Sequence, residues 1–297
     1  MRRICVIFNP AARGEKAARF RQHLAELSEQ CTLKATFAPG AGRILGAEAA
    51  REGFEIIVAA GGDGTVNEVL NGIGDVEGAF GRCTFGILPL GTINVFAKEI
   101  KMPTGFAEAW NIIRAGREYA IDLPWAEFTH EGQPHRRYFA QMAGAGLDSR
   151  AIDFVDLEQK KRIGGAAYIV AGLKAMRGKM PQVVVTDGTK TLTGELVLIG
   201  NGRFYGGKFP IFPLADLQDG VLEVSVFPRV DWIGFIRCGW GLLTNQLYSS
   251  GGAQHMRAGS IQVSSTDRMP FQVEGENAGI LPARFSLTQK GLKVIVP

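Results

Sequence analysis

The chain has 297 residues, of which 46% are hydrophobic and 21% charged, and its net charge is +4. That is enough apolar material for one large or two ordinary globular domains, and it excludes a disordered chain. No apolar run reaches bilayer-spanning length, and so mild a positive charge suits phosphate or an anionic membrane surface and is too weak to argue for nucleic acid, so no nucleic-acid partner is expected.

Residues 2–8 predict a first buried strand. The turn Asn9-Pro10 ends its apolar run far too early for a signal peptide. Phe20, Leu24 and Leu27 predict a helix over 15–30, with His23 on its solvated face. Leu33 to Phe37 is a second strand candidate, and a helix follows to about residue 51. The run Glu55-Ile56-Ile57-Val58-Ala59-Ala60 reads as a strand buried on both faces of a parallel sheet.

After it comes Gly61-Gly62-Asp63-Gly64-Thr65-Val66-Asn67-Glu68. Apolar residues at 66, 69, 70 and 73 share one helical face. Thr65 and Glu68 have capping-box spacing, so the helix is expected to start at Thr65. The glycines then occupy a tight strand-to-helix turn. Its N–H groups and the positive helix end can face an anion such as phosphate. A carboxylate beside phosphates repels them, so Asp63 reads as a magnesium or hydroxyl handle.

Residues 84–88 form another strand, followed by the loop Pro89-Leu90-Gly91-Thr92-Ile93-Asn94 and a helix over 104–115 that ends at Gly116. Strands alternating with helices imply a doubly wound, mostly parallel α/β sheet over residues 1–122. Ligands bind beyond the carboxyl ends of such strands. Asn9, Thr36, Asp63 and Thr92 should therefore gather at one edge.

Extended segments dominate from Tyr119 onward: 119–129, 137–143, 182–186, 190–199, 221–227, 260–265, 270–274 and 292–296. Asp187-Gly188 is a hairpin signal. Helices are expected at about 164–177 and 231–247. Residues 123–297 thus read as an antiparallel β-sandwich domain with helical insertions, whose last strand can pack back toward the first domain. Basic edges at Lys160-Lys161-Arg162 and around Lys174 give the first of these helices an interfacial look, and Trp232, Phe235 and Trp240 do the same for the second. Both patterns also suit a helix packed on the β domain.

The cysteines at 5, 31, 83 and 238 have no metal or redox spacing and point to a reducing, cytoplasmic setting. The histidines at 23, 130, 135 and 255 show no metal-ligand pairing. A Walker-type loop, a Rossmann glycine fingerprint and a nucleophile elbow are all missing.

The ordered set of motifs resembles the bacterial diacylglycerol kinase-like lipid kinases, relatives of diacylglycerol and sphingosine kinases. The match runs nearly end to end. It comprises Asn9-Pro10, Gly61 to Glu68, Pro89 to Asn94, Ala145-Gly146-Leu147-Asp148, Gly200-Asn201-Gly202 with Gly206-Gly207, Pro213 to Gly220, and Val273-Glu274-Gly275-Glu276. The resemblance implies transfer of the ATP γ-phosphoryl to a lipid hydroxyl with Mg²⁺, between a nucleotide-binding domain and a β-sandwich. It also implies a lipid substrate met at the membrane surface, with peripheral association at the inner face. Thr36, the run Gly61, Gly62, Asp63, Gly64, Thr65, Val66, Asn67, and Thr92 match ATP-contacting positions. Glu276 matches the general base. Asp219 matches a magnesium position, with the carbonyls of Asp216 and Val221 beside it.

Three departures stand out. Glu274 replaces an aspartate of the family, Val95 stands where aspartate is common, and Gly14 comes one place late with Arg13 before it. A methylene-length shift near a reacting centre can cost about 100-fold. Two alternatives stay open: an NAD kinase-like enzyme with a soluble acceptor, and a catalytically weak nucleotide-binding regulatory protein.

Overall fold

The computed structural model describes residues 2–12, 14–147, 149–150, 182–207, 209–231 and 252–297. Arg13, Asp148, Cys238, the expected helix at 164–177 and the expected helix at 231–247 beyond Asp231 lie outside the described residues. The chain divides into two compact units, Met1–Leu123 with Thr288–Pro297, and Pro124–Leu287.

In the first unit, strands β1 (Ile4–Phe8), β2 (Thr32–Ala35), β3 (Ile56–Gly61) and β4 (Thr84–Pro89) pair in parallel in the order β2-β1-β3-β4. Every residue of β3 and β4 is buried. Both strand faces are therefore covered, which is why these segments read as unbroken apolar runs. Near the C-terminus, Val294 pairs in parallel with Phe85 of β4.

Two sets of helices pack on this sheet. Phe20 of α1 (Glu15–Gln22) meets Phe8 of β1 at 5.6 Å and Phe106 of α7 (Phe106–Ala115) at 5.8 Å. The other set is α3 (Ala41–Arg51) and α4 (Asp63–Gly74). Their backbones meet at glycines: a Cβ on Gly46 would lie 2.7 Å from the Val69 carbonyl oxygen, and one on Gly72 would lie 2.9 Å from the Ala47 nitrogen.

Two local expectations are corrected here. The helix predicted over 15–30 is broken at His23 into α1 and α2 (Leu24–Gln30). The His23 ring stacks on Phe106 at 4.5 Å, and its side chain remains 40% exposed to solvent. The second correction concerns the capping box. Helix α4 starts at Asp63 with Gly62 as its N-cap, so Thr65 already lies in the first turn. Glu68 bonds elsewhere: its carboxylate accepts the N–H groups of Gly40 and Gly42, each at 2.8 Å. Glu68 thus caps α3, where an anion meets the positive helix end.

Strands dominate the described residues of the second unit. They are β5 (Glu118–His130), β6 (Gln133–Tyr138), β7 (Met142–Gly146), β8 (Val183–Thr186), β9 (Thr191–Gly194), β10 (Leu196–Gly200), β11 (Leu222–Phe227), β12 (Gln254–Ala258), β13 (Ser260–Ser265), β14 (Pro270–Val273), β15 (Glu276–Ile280) and β16 (Ala283–Ile295). The chain enters this unit within β5 and leaves it within β16. One antiparallel set runs β16-β13-β8-β9, and β5 forms a hairpin with β6. A second antiparallel sheet runs β12-β11-β10-β7-β14-β15.

The core of this unit joins Val185, Ile261, Val263 and Phe285 of the first set to Ala143, Ile199, Val224 and Phe271 of the second. Sheet faces sheet across an apolar layer, which is a β-sandwich. At the β8–β9 turn, the Asp187 carboxylate accepts the N–H groups of Thr189 and Lys190, and these bonds hold its carboxyl down at about 2. Among the described residues, no helix is long and apolar enough to cross a membrane.

Candidate active site

The glycine turn expected to face an anion lies where β3 gives way to α4. Three backbone bonds stitch the neighbouring turns at this sheet edge. Thr36 N–H donates to the Phe8 carbonyl at 2.8 Å, Asn9 N–H to that of Ala60 at 3.4 Å, and Gly91 N–H to that of Gly61 at 3.2 Å. Asn9, Thr36, Gly61 to Asn67 and Thr92 therefore belong to one set of turns. The parallel strand order sends every one of these turns off the same end of the sheet.

The glycines are needed first for contacts inside the turn. A Cβ on Gly61 would lie 2.5 Å from the Thr65 Cβ, and one on Gly91 would lie 2.5 Å from the Gly62 Cα. The two glycine loops thus touch backbone to backbone. With its N-terminal amides unpaired within the helix, α4 presents donors and the positive end of its dipole beyond β3.

Asp63, expected as a magnesium or hydroxyl handle, has local bonds that the sequence does not show. Its carboxylate accepts the N–H of Asn94 at 3.0 Å and of Val95 at 2.7 Å. It thereby caps α6 (Val95–Glu99) and ties the second loop to the first. Burial pushes its carboxyl upward, opposed by those two amide bonds and by the charge of Lys98. Asn94 completes the tie: it takes a left-handed φ of 54°, and its side chain both accepts from Gly91 N–H and donates to the Gly91 carbonyl. Val95 contributes through its backbone N–H. Val66 and Asn67 are buried, and Asn67 Oδ1 accepts from Asn71 Nδ2 at 2.8 Å. Thr92 is exposed and Thr36 is half-buried.

In the second unit, Glu276 is the exposed first residue of β15 and pairs with Val273 across a two-residue turn. Glu274 and Gly275 form that turn, both with positive φ, 52° and 81°. Such a turn matches the twist of the strands it joins. Glu274 Oε1 accepts the N–H groups of Ala140 at 2.8 Å and Gln141 at 2.7 Å. The longer side chain thus anchors the turn to the chain just before β7. Asn201 joins the same cluster, donating from Nδ2 to the Ala140 carbonyl at 3.0 Å.

The third predicted group is the turn before β11. Asp216 Oδ1 accepts Gln218 N–H at 3.0 Å, and the Asp216 carbonyl accepts Asp219 N–H at a long 3.3 Å. Asp219 Oδ1 accepts Val221 N–H at 3.1 Å, and Oδ2 lies 2.5 Å from Arg257 Nη2. The three donors implied by the family resemblance thus sit within six residues of chain. They are a carboxylate and two carbonyls, the all-oxygen chemistry that Mg²⁺ takes, so the donor set fits a hard cation.

Residues 3–125 match the family model described as the diacylglycerol kinase catalytic domain. Residues 141–296, more than half the chain, match the YegS C-terminal NAD kinase beta sandwich-like domain. The chain belongs to the diacylglycerol kinase and YegS-like lipid kinase family.

Within this lipid kinase family, the chain is 27% identical over 308 residues to a diacylglycerol kinase of Bacillus subtilis (strain 168), covering 100% of this chain and 97% of the relative. It is 29% identical over 284 residues to the "Probable lipid kinase YegS-like" of Pseudomonas aeruginosa (strain UCBPP-PA14), covering 92% of this chain and 86% of that one. A solved diacylglycerol kinase structure from Bacillus anthracis str. Sterne superposes with a TM-score of 0.76 at 26% identity, over 99% of this chain and 97% of that one.

Four residues of this lipid kinase family member escaped the sequence reading of the site: Glu68 as the cap of α3, Asn94 as the lock of the second loop, Lys98 as the charge beside Asp63, and Arg257 beside Asp219. Only Asn94 carried a signal, an amide residue tolerant of left-handed backbone after a glycine loop. The other three act across 26 or more residues of chain, where periodicity says nothing.

Proposed function

We propose that the chain is an ATP- and Mg²⁺-dependent lipid kinase that transfers the γ-phosphoryl group to the hydroxyl of a diacylglycerol-like lipid at a membrane surface. The observation that carries this reading is the double glycine loop. An amide-bearing strand-to-helix turn is clamped by Asp63 to a second glycine turn, beyond the carboxyl end of a parallel sheet. Phosphoryl transfer asks the protein mainly for positioning and for donors aimed at phosphate oxygens. The first turn of α4 offers such donors, and the clamp removes the cost of ordering them during the reaction.

Glu276 is the group that takes the proton of the lipid hydroxyl as it attacks. Its turn is anchored by Glu274, so the replacement at 274 supports the frame of the site. Asp63 serves here as a clamp, and its two amide bonds favour that role over metal ligation. Asp219, with the carbonyls of Asp216 and Val221, would hold Mg²⁺ in the second unit. When bound, such an ion supplies positive charge against the phosphate oxygens.

The test is transfer of label from [γ-³²P]ATP to a panel of detergent-dispersed lipids. The expected product is a labelled lipid phosphate from a diacylglycerol-class acceptor. No labelled lipid anywhere on the panel overturns the proposal, and labelling of a water-soluble dinucleotide in place of lipid supports the NAD kinase-like reading.

A further inference from the structure

Arg257 sits opposite Glu223 in the pairing of β12 with β11. Glu223 is a carboxylate with a side chain only 1% exposed, and its Oε1 has an ion-pair contact but no hydrogen-bond partner among the described residues. Oε1 lies 2.6 Å from Arg257 Nε, and Oε2 bonds His255 Nε2. A charge this deep persists only because it is paired. Arg257 is therefore gripped from behind through Nε, while Nη2 projects to Asp219 Oδ2 at 2.5 Å. The guanidinium is held at the cation turn by a strand-to-strand pair and does not depend on Asp219 to keep it there.

Resting on the magnesium assignment proposed above, we infer that Arg257 is a built-in competitor for the cation at the Asp216–Val221 turn, setting how tightly Asp219 binds a divalent ion. The guanidinium already neutralises the one carboxylate that the proposed donor set contains. A Mg²⁺ ion sharing that carboxylate meets a fixed positive charge a few ångströms away. At about 4 Å the repulsion of one unit charge on another is about 1 kcal/mol even in water, and an ion of charge two doubles it. Glu223 favours that placement, because swinging Arg257 aside would leave its buried carboxylate with the His255 contact and without the Arg257 ion pair. The turn is thereby tuned toward weak binding, so that occupancy follows the free Mg²⁺ concentration.

Arg257 is a positioning residue, and its test is a binding measurement on the full chain. Mg²⁺ is titrated calorimetrically into wild type, Arg257→Gln, Arg257→Lys and Asp219→Asn. Arg257→Gln keeps a hydrogen-bond donor and loses the charge, and it should bind Mg²⁺ about tenfold more tightly. Arg257→Lys keeps the charge and should stay within about twofold of wild type. Asp219→Asn should lose the site. Equal or weaker binding by a folded Arg257→Gln protein overturns the inference while leaving the magnesium assignment intact. No Asp219-dependent binding by any variant at millimolar Mg²⁺ overturns both. Circular dichroism melts of all four proteins confirm which are folded, and Arg257→Lys decides the question if Arg257→Gln is not: a tenfold change there contradicts a role based on charge.

Discussion

Gly91 shows how one absent side chain holds the site together. It lies against Gly62, and any Cβ placed on it would come within 2.5 Å of that backbone and 2.7 Å of Asn94 Oδ1. Neither neighbour can yield cheaply, because Gly62 starts α4 and Asn94 is locked to Gly91 by two hydrogen bonds. Gly91→Ala should therefore part the two loops. The expected result is at least a tenfold loss of nucleotide affinity, with a stability loss of about 1–3 kcal/mol typical of overpacking. Nucleotide titration and a thermal melt check both. The glycines themselves were legible in the sequence, and so was a turn from strand to helix. Their first use was not, since phosphate approach and backbone-to-backbone contact ask for the same residue. Asp63 repeats the lesson: the sequence shows a carboxylate beside a phosphate-binding turn, and only the fold shows that its oxygens face the amides of residues 94 and 95.

At the scale of elements, the central strands were the readable part. β1, β3 and β4 are apolar runs because the sheet is covered on both sides, and that cover is written into each residue. β12 and β15 were missed for the opposite reason. Gln254-His255-Met256-Arg257-Ala258 and Glu276-Asn277-Ala278-Gly279-Ile280 are sheet-edge strands with little apolar alternation, and pairing to a neighbour makes them strands. The capping box failed because its spacing is satisfied locally while the acid's better partners lie 26 and 28 residues away. Glu68→Ala should leave the Gly40 and Gly42 amides at the start of α3 without an acceptor. Urea unfolding should show a loss of about 1–3 kcal/mol, and Glu68→Gln, which keeps an acceptor, should lose less. Equal stability of all three proteins would contradict the cap.

For the whole molecule, the α/β unit and the β-sandwich follow from two different sequence periods, and their chemistry is divided in the same way. The first-turn amides of α4 belong to Met1–Leu123, while Glu276 and the Asp216–Val221 turn belong to Pro124–Leu287. The proposed function asks both to serve one reaction, with Glu276 acting on the acceptor and the glycine turn acting on ATP. Glu276→Gln separates these roles in a single variant, measured for lipid phosphorylation and for ATP binding side by side. The account predicts turnover lower by about 10²–10⁴-fold with ATP affinity unchanged. A variant that phosphorylates lipid at the wild-type rate would contradict it.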